Sequence, residues 1–185
     1  MALWKGSPLA RFGGVAALVL ADQWSKGAIF DWLGATPEGH APPRELFGTT
    51  WLSMLSTCNK GAAFGQFGDF PYVLVIGRAV AVVFLCWLLL GAEERPRLAL
   101  GAMALVLAGA LGNLIDNLWT GCVVPAHPFL GVRDFLDVDL APIGIDRHFP
   151  AFNLADSCIT VGACAWILAG FLQRKPSAPA PAEST

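Results

Sequence analysis

The chain has 185 residues, of which 55% are hydrophobic and only 14% charged, where a soluble domain carries about 25% charged residues. Mean hydropathy is +0.57 and the formal net charge is −2. Much of the chain therefore avoids water, and with no basic run there is no electrostatic footprint for nucleic acid.

The first 33 residues open like a secretory leader, with Lys5 and Arg11 ahead of the apolar run Phe12 to Leu20. Asp22, Gln23 and Lys26 interrupt that run, and apolar character resumes at Ala28, Ile29 and Phe30. No A-x-A-like site closes it, so an uncleaved membrane helix over about 11–33 is expected. Further apolar stretches at about 72–91, 98–120 and 152–172 are each near the roughly 20 residues that cross a bilayer as a helix. The second is broken only by Arg78. The expected fold is an all-α membrane protein of four transmembrane helices, since open strands cannot satisfy their backbone in lipid.

Lys5 and Arg11, then Arg95 and Arg97, then Arg174 and Lys175 fall in short connecting or terminal segments. Dense positive charge of that kind marks the cytoplasmic side. Both termini are then cytoplasmic, and the longer loops 34–71 and 121–151 lie outside. The first outer loop mixes apolar, Thr and aromatic residues from Leu46 to Phe67, with Gly61, Gly65 and Gly68 to turn the chain, so short strands are expected there. Pro125, Pro128, Pro142 and Pro150 suggest that the second loop is mostly irregular. One domain over 1–175 and a disordered Pro/Ala/Ser tail over 176–185 complete the organisation.

Polar side chains inside apolar helices are costly and ask for a reason. Asp22 and Lys26 are four apart and share a face, as an ion pair would. Asn113, Asp116 and Asn117 share a face of the third helix, which Gly101, Gly109 and Gly112 would let pack closely. Asn153 with Asp156 three residues later fits an N-cap at the start of the fourth helix. Spacing favours that cap, with an active carboxylate held at the membrane surface as the other reading, and one arrangement could serve both ends. Asp134, among Val132, Phe135 and Leu136, could be a solvated loop residue or the partner of Asp156. Two carboxylates a few ångströms apart cannot both ionise, so such a pair shares a proton. One member can then activate water while the other hydrogen-bonds a scissile carbonyl, with no metal and no covalent intermediate. Cys58, Cys86, Cys122, Cys158 and Cys164 form no CxxC pair and are read as structural or incidental. His40, His127 and His148 are scattered as surface residues are. No metal or other cofactor is implied.

The motifs resemble those of the lipoprotein signal peptidase (signal peptidase II) family. They are Ala21-Asp22-Gln23 with Lys26, Asn59-Lys60-Gly61-Ala62-Ala63-Phe64, Gly109-Ala110-Leu111-Gly112-Asn113-Leu114-Ile115-Asp116, Gly131-Val132-Arg133-Asp134-Phe135, and Phe149-Pro150-Ala151-Phe152-Asn153-Leu154-Ala155-Asp156-Ser157. The resemblance implies an aspartic endopeptidase of the bacterial inner membrane, its active site at the periplasmic face and a small extracytoplasmic β-sheet cradling substrate. It implies Asp134 and Asp156 as the catalytic pair, with Asn59, Gly109, Asn113 and Asn153 around it. Asp22, Lys26 and Asp116 become structural polar residues. The implied partners are membrane lipid and prolipoproteins whose lipobox cysteine carries diacylglycerol, cut just before that cysteine by a monomer. The family usually has Arg after the third-helix Asp, where this chain has Asn117, and Arg133 is expected to replace it in part. Asn117 also leaves open a catalytically impaired relative that only binds signal peptides or lipids. A proton-coupled carrier using Asp22, Asp116 and Asp156 is a further class, but its acids would be spread through the membrane's depth and it would show inverted repeats.

Overall fold

The structure, a computed structural model, describes residues 8–47, 49–61, 68–91 and 96–173. Lys5, Ala62, Ala63, Phe64, Gly65, Arg95, Arg174, Lys175 and the tail 176–185 lie outside the described residues.

Four long helices are present: α1 (Pro8–Leu33), α2 (Pro71–Leu90), α3 (Arg97–Ile115) and α4 (Leu154–Gln173). Helix α3 runs on through one π turn, Asp116–Thr120, closed by the Gly121 amide on the Asp116 carbonyl at 2.9 Å. Pro71 stands at the first position of α2, where its missing N–H costs nothing and its fixed φ suits a helix.

Among the described residues three helices, where four were expected, are long and apolar enough to cross a membrane: Pro71–Leu90, Arg97–Thr120 and Leu154–Leu172. Helix α1 has the length, with 26 residues, but Asp22, Gln23 and Lys26 lower its hydropathy. Those same residues are turned inward, which is how an amphipathic segment tolerates them.

Helix α3 lies at the centre, against α1, α2 and α4. Leu100, Met103, Leu107 and Ala108 of α3 bury against Val15 of α1 and Leu85 and Leu89 of α2. The outward faces of α2 and α4 stay apolar, with Val73, Ile76, Val80, Val83, Trp87, Ile167, Leu168 and Phe171 exposed. Such faces suit lipid, because apolar surface of this extent is not left to water. Gly109 lies where α3 meets α4, and a Cβ there would run into the Ala155 carbonyl. Gly162 of α4 likewise faces the Ala102 carbonyl. Gly101, expected to help this packing, has nothing near it.

The fold is not all-α. A four-stranded antiparallel sheet, order β1-β2-β3-β4, covers one end of the helices. Its strands are β1 (Ala41–Glu45), β2 (Leu52–Asn59), β3 (Val132–Asp139) and β4 (His148–Phe152). Half of it comes from the second loop, which the prolines had suggested was irregular. Pro42 and Pro43 in β1 and Pro150 in β4 sit in the two edge strands, where a residue without an N–H is tolerated. Strand β4 also takes Phe152, so α4 begins at Leu154 rather than at about 152.

Candidate active site

Asn153 starts the site. Its Oδ1 accepts the Asp156 amide at 2.9 Å, and Asp156 Oδ2 accepts the Asn153 amide at 3.3 Å. This is a reciprocal capping box, which satisfies amides a helix start leaves unpaired. The N-cap reading is therefore borne out, and the cap fixes the Asp156 carboxylate. Asn153 Nδ2 also donates to Asp134 Oδ1 at 2.6 Å and to Asn113 Oδ1 at 3.2 Å. One fully buried amide thus touches β3, α3 and α4.

Asp134 reaches this place through strand register. β2 pairs with β3 so that Thr57 faces Asp134 and Asn59 faces Val132. Asn59 Nδ2 donates to Asp134 Oδ2 at 3.0 Å, while its Oδ1 accepts the Gly61 amide at 2.9 Å. Asp134 is 1% exposed. Burial, and next the charge of Asp156, push its carboxyl up to about 7, against the opposing hydrogen bonds from Asn59 and Asn153. On the other carboxylate, Asn113 Nδ2 donates to Asp156 Oδ1 at 2.8 Å. Three side-chain amides, of Asn59, Asn113 and Asn153, and one backbone N–H therefore hold the two acids in one hydrogen-bonded network.

Below the two acids lies an ion cluster. Lys26 Nζ is 2.8 Å from Asp22 Oδ2, 3.3 Å from Asp116 Oδ2 and 3.0 Å from Asn113 Oδ1. Asp22 Oδ1 accepts the Ala155 amide at 2.9 Å, so an acid of α1 meets the positive end of α4. Asp116 also accepts the Arg133 amide at 2.9 Å and the Arg133 Nη2 at 2.8 Å. Asn113, Asp116 and Asn117 do share a buried face.

Arg133 is not where the sequence suggested. Its guanidinium lies on Asp116 and on Gln23 Oε1, at 3.1 Å, rather than on Asp134 or Asp156. Adjacent residues of a strand point to opposite faces, so the neighbour of Asp134 is turned away from it. Gly109 touches neither acid and works through the close approach to Ala155. Asp137 of β3 is 8% exposed and accepts Ser53 Oγ at 2.9 Å and His148 Nδ1 at 3.0 Å. Cys58 and Cys122 are joined in a disulfide, so they are not incidental.

Gln23 and Arg78, seen in the sequence without a site role, have one in the structure. Gln23 Nε2 donates to the Gly112 carbonyl at 3.0 Å, binding α1 to α3 beside the ion cluster. Arg78 of α2 donates to Asn117 Oδ1 and, at 3.3 Å, to the Gly61 carbonyl. A single charge in an apolar segment was the available signal, because it needs a partner within the bundle. Among the described residues no three His, Cys, Asp or Glu side chains gather as metal ligands.

A bundle of lipid-facing helices capped by a small sheet, with a buried charged centre where they meet, marks an integral membrane protein with a polar site at one end of its helices. A bacterial membrane enzyme solved at 2.3 Å superposes with a TM-score of 0.71 at 25% identity, covering 97% of this chain and all of that one. A second, solved at 1.9 Å, gives 0.64 at 28% identity over 90% and 94% of the two chains. The signal peptidase (SPase) II family model matches residues 15–172. The chain is 33% identical to a lipoprotein signal peptidase of Acinetobacter baylyi, over 85% of this chain and 79% of that protein. It is 39% identical to one of Syntrophotalea carbinolica, over 84% and 87%. The chain belongs to the signal peptidase II family, and is by that membership a membrane protease of lipoprotein processing.

Proposed function

We propose that this chain is an aspartic endopeptidase that removes signal peptides from diacylglyceryl-modified prolipoproteins, cutting before the lipidated cysteine. Asp134 and Asp156 are its catalytic pair. The observation that carries this is Asn153, whose side chain and backbone bind both acids at once, with the charge of Asp156 acting on a buried Asp134.

In the working state the pair holds one proton. The ionised member takes a proton from water as the water oxygen adds to the scissile carbonyl carbon. The protonated member hydrogen-bonds the carbonyl oxygen and stabilises the charge that grows there. When the C–N bond breaks, the proton taken from water passes to the leaving amine, and the pair again holds one. Asn59, Asn113 and Asn153 keep both carboxyl groups oriented through these steps.

Helix α1, long enough and with its polar residues turned onto the other helices, is read as a fourth span; with an inner-membrane location and both termini in the cytoplasm, this reading puts the sheet and the acid pair at the periplasmic surface. A substrate anchored by its lipid would present its cleavage site at that depth. A reporter active only in the periplasm, fused after the last residue, should be silent; a signal would reverse the topology.

The test is cleavage of a lipidated prolipoprotein by the reconstituted protein, followed by gel shift. Asp134→Asn and Asp156→Asn should each lower the rate about a hundredfold to ten-thousandfold, the usual worth of a general acid or base. Retained activity in either variant would falsify the pair. A protein that binds signal peptides without cutting, the reading Asn117 first suggested, would bind in this assay and yield no product.

A further inference from the structure

Arg78 is the single charged residue of α2, and its guanidinium is directed inward. It donates to Asn117 Oδ1 on the π turn and to the Gly61 carbonyl just beyond β2. The charges that it faces are Asp156 of α4, Asp134 of β3 and Asp116 of the π turn.

The charge count of the centre gives this position a meaning. Lys26 pairs with Asp22 and Asp116, and Arg133 pairs with Asp116. Two cations and two acids thus balance below the site. Asp134 and Asp156 remain. Lys26 also acts on both of them, but its ammonium is committed to Asp22, Asp116 and Asn113. Two acids sharing one proton carry one negative charge, and Arg78 carries one positive charge. A lone charge in a membrane helix is costly without an opposite charge nearby, and here the acids whose charge acts on it include the net monoanion of Asp134 and Asp156.

We propose that Arg78 is the counter-ion of the Asp134–Asp156 pair: a positioning residue that keeps the pair singly ionised and clamps the Gly61 end of the strand carrying Asn59. The second part follows from connectivity. Arg78 holds the Gly61 carbonyl, the Gly61 amide is on Asn59 Oδ1, and Asn59 Nδ2 is on Asp134. Asn117 is the fixed acceptor that aims the guanidinium, being held in turn by its Nδ2 on the Leu130 carbonyl at 2.7 Å.

The inference rests on Asp134 and Asp156 being the catalytic pair, and the experiment separates the two ideas. Cleavage of lipidated prolipoprotein is measured against pH for the full-length wild type, Arg78→Gln and Arg78→Lys in lipid. An opposite charge beside a carboxylate favours its ionised form by about one to three pH units. Arg78→Gln should therefore move the acidic limb of kcat/KM up by about one unit or more, while Arg78→Lys restores the wild-type limb. A rate loss in Arg78→Gln with the limb unmoved, or a limb that Lys fails to restore, overturns the proposal and leaves the pair standing. If Arg78→Gln turns over too slowly to profile, infrared titration of the protonated carboxyl band replaces turnover. A titration curve coinciding with that of the wild type then overturns it. Failure of the pair itself would show as cleavage by Asp134→Asn or Asp156→Asn, whatever Arg78 does.

Discussion

Lys26 has no exposed surface, and its ammonium touches two carboxylates and an amide from two helices. Removing one partner of such a buried group leaves the others uncompensated, which costs about 3–5 kcal/mol. Lys26→Met should accordingly lower the midpoint of thermal unfolding in detergent far more than a surface Lys60→Met. Equal effects would mean that the cluster is not held together by charge. Asp134 carries the other prediction at this scale. Its carboxyl is pushed up to about 7 by burial and by Asp156, so the pair loses its shared proton as pH rises through that value. Cleavage should decline above about pH 7, tenfold per unit at the limit, and a rate still rising at pH 9 would contradict a protonated partner. The sign for stability is the same. A folded-state value above the ordinary 3.8 favours the fold at low pH, and that contribution disappears as pH rises through about 7.

At the scale of elements, the α3–α4 contact sets where the acids stand. Gly109 approaches Ala155 so closely that any Cβ collides with its carbonyl, and Ala155 is the residue before Asp156. Gly109→Ala should force the helices apart at a cost of about 1–3 kcal/mol and reduce cleavage by displacing Asp156. Gly101→Ala, on the same helix but facing open space, should leave both melting and cleavage near the wild-type values. Comparable losses in the two variants would show that helix propensity, rather than contact, was being measured. The strands have their own division of labour. β2 brings Asn59 and β3 brings Asp134, and only their register makes one serve the other. A slip of one residue would turn Asp134 to the opposite face.

Across the whole molecule, the sheet is fastened to the helices by the Cys58–Cys122 disulfide, which closes a separation of 64 residues. It joins β2 to the chain leaving α3, next to Phe30 and Phe135 in a small buried cluster. A bond closing so long a loop restricts the unfolded chain and is worth about 2–4 kcal/mol. Reduction, or Cys58→Ser with Cys122→Ser, should lower the melting temperature while cleavage at low temperature persists. An unchanged melting curve would show the link to be dispensable. Arg11 performs a similar service at the far end of the bundle, where its Nη1 donates to the Leu89 carbonyl at 2.8 Å, near the end of α2.

Much of this protein was legible before folding. Apolar runs of helical length marked four helices, three of them apolar enough by composition to cross a membrane, because a bilayer demands about 20 residues whatever their neighbours. The i, i+4 spacing paired Asp22 with Lys26, and the i, i+3 spacing made Asn153 the cap of Asp156, since local geometry alone dictates such contacts. The rest needed tertiary structure. That Asp134 stands beside Asp156 depends on a strand register and a helix start that no spacing records. That Arg133 turns to Asp116 while Arg78 crosses from another helix to face the acids is likewise invisible in the chain. A charge chooses its partner by distance in space, and only the packed bundle fixes that distance.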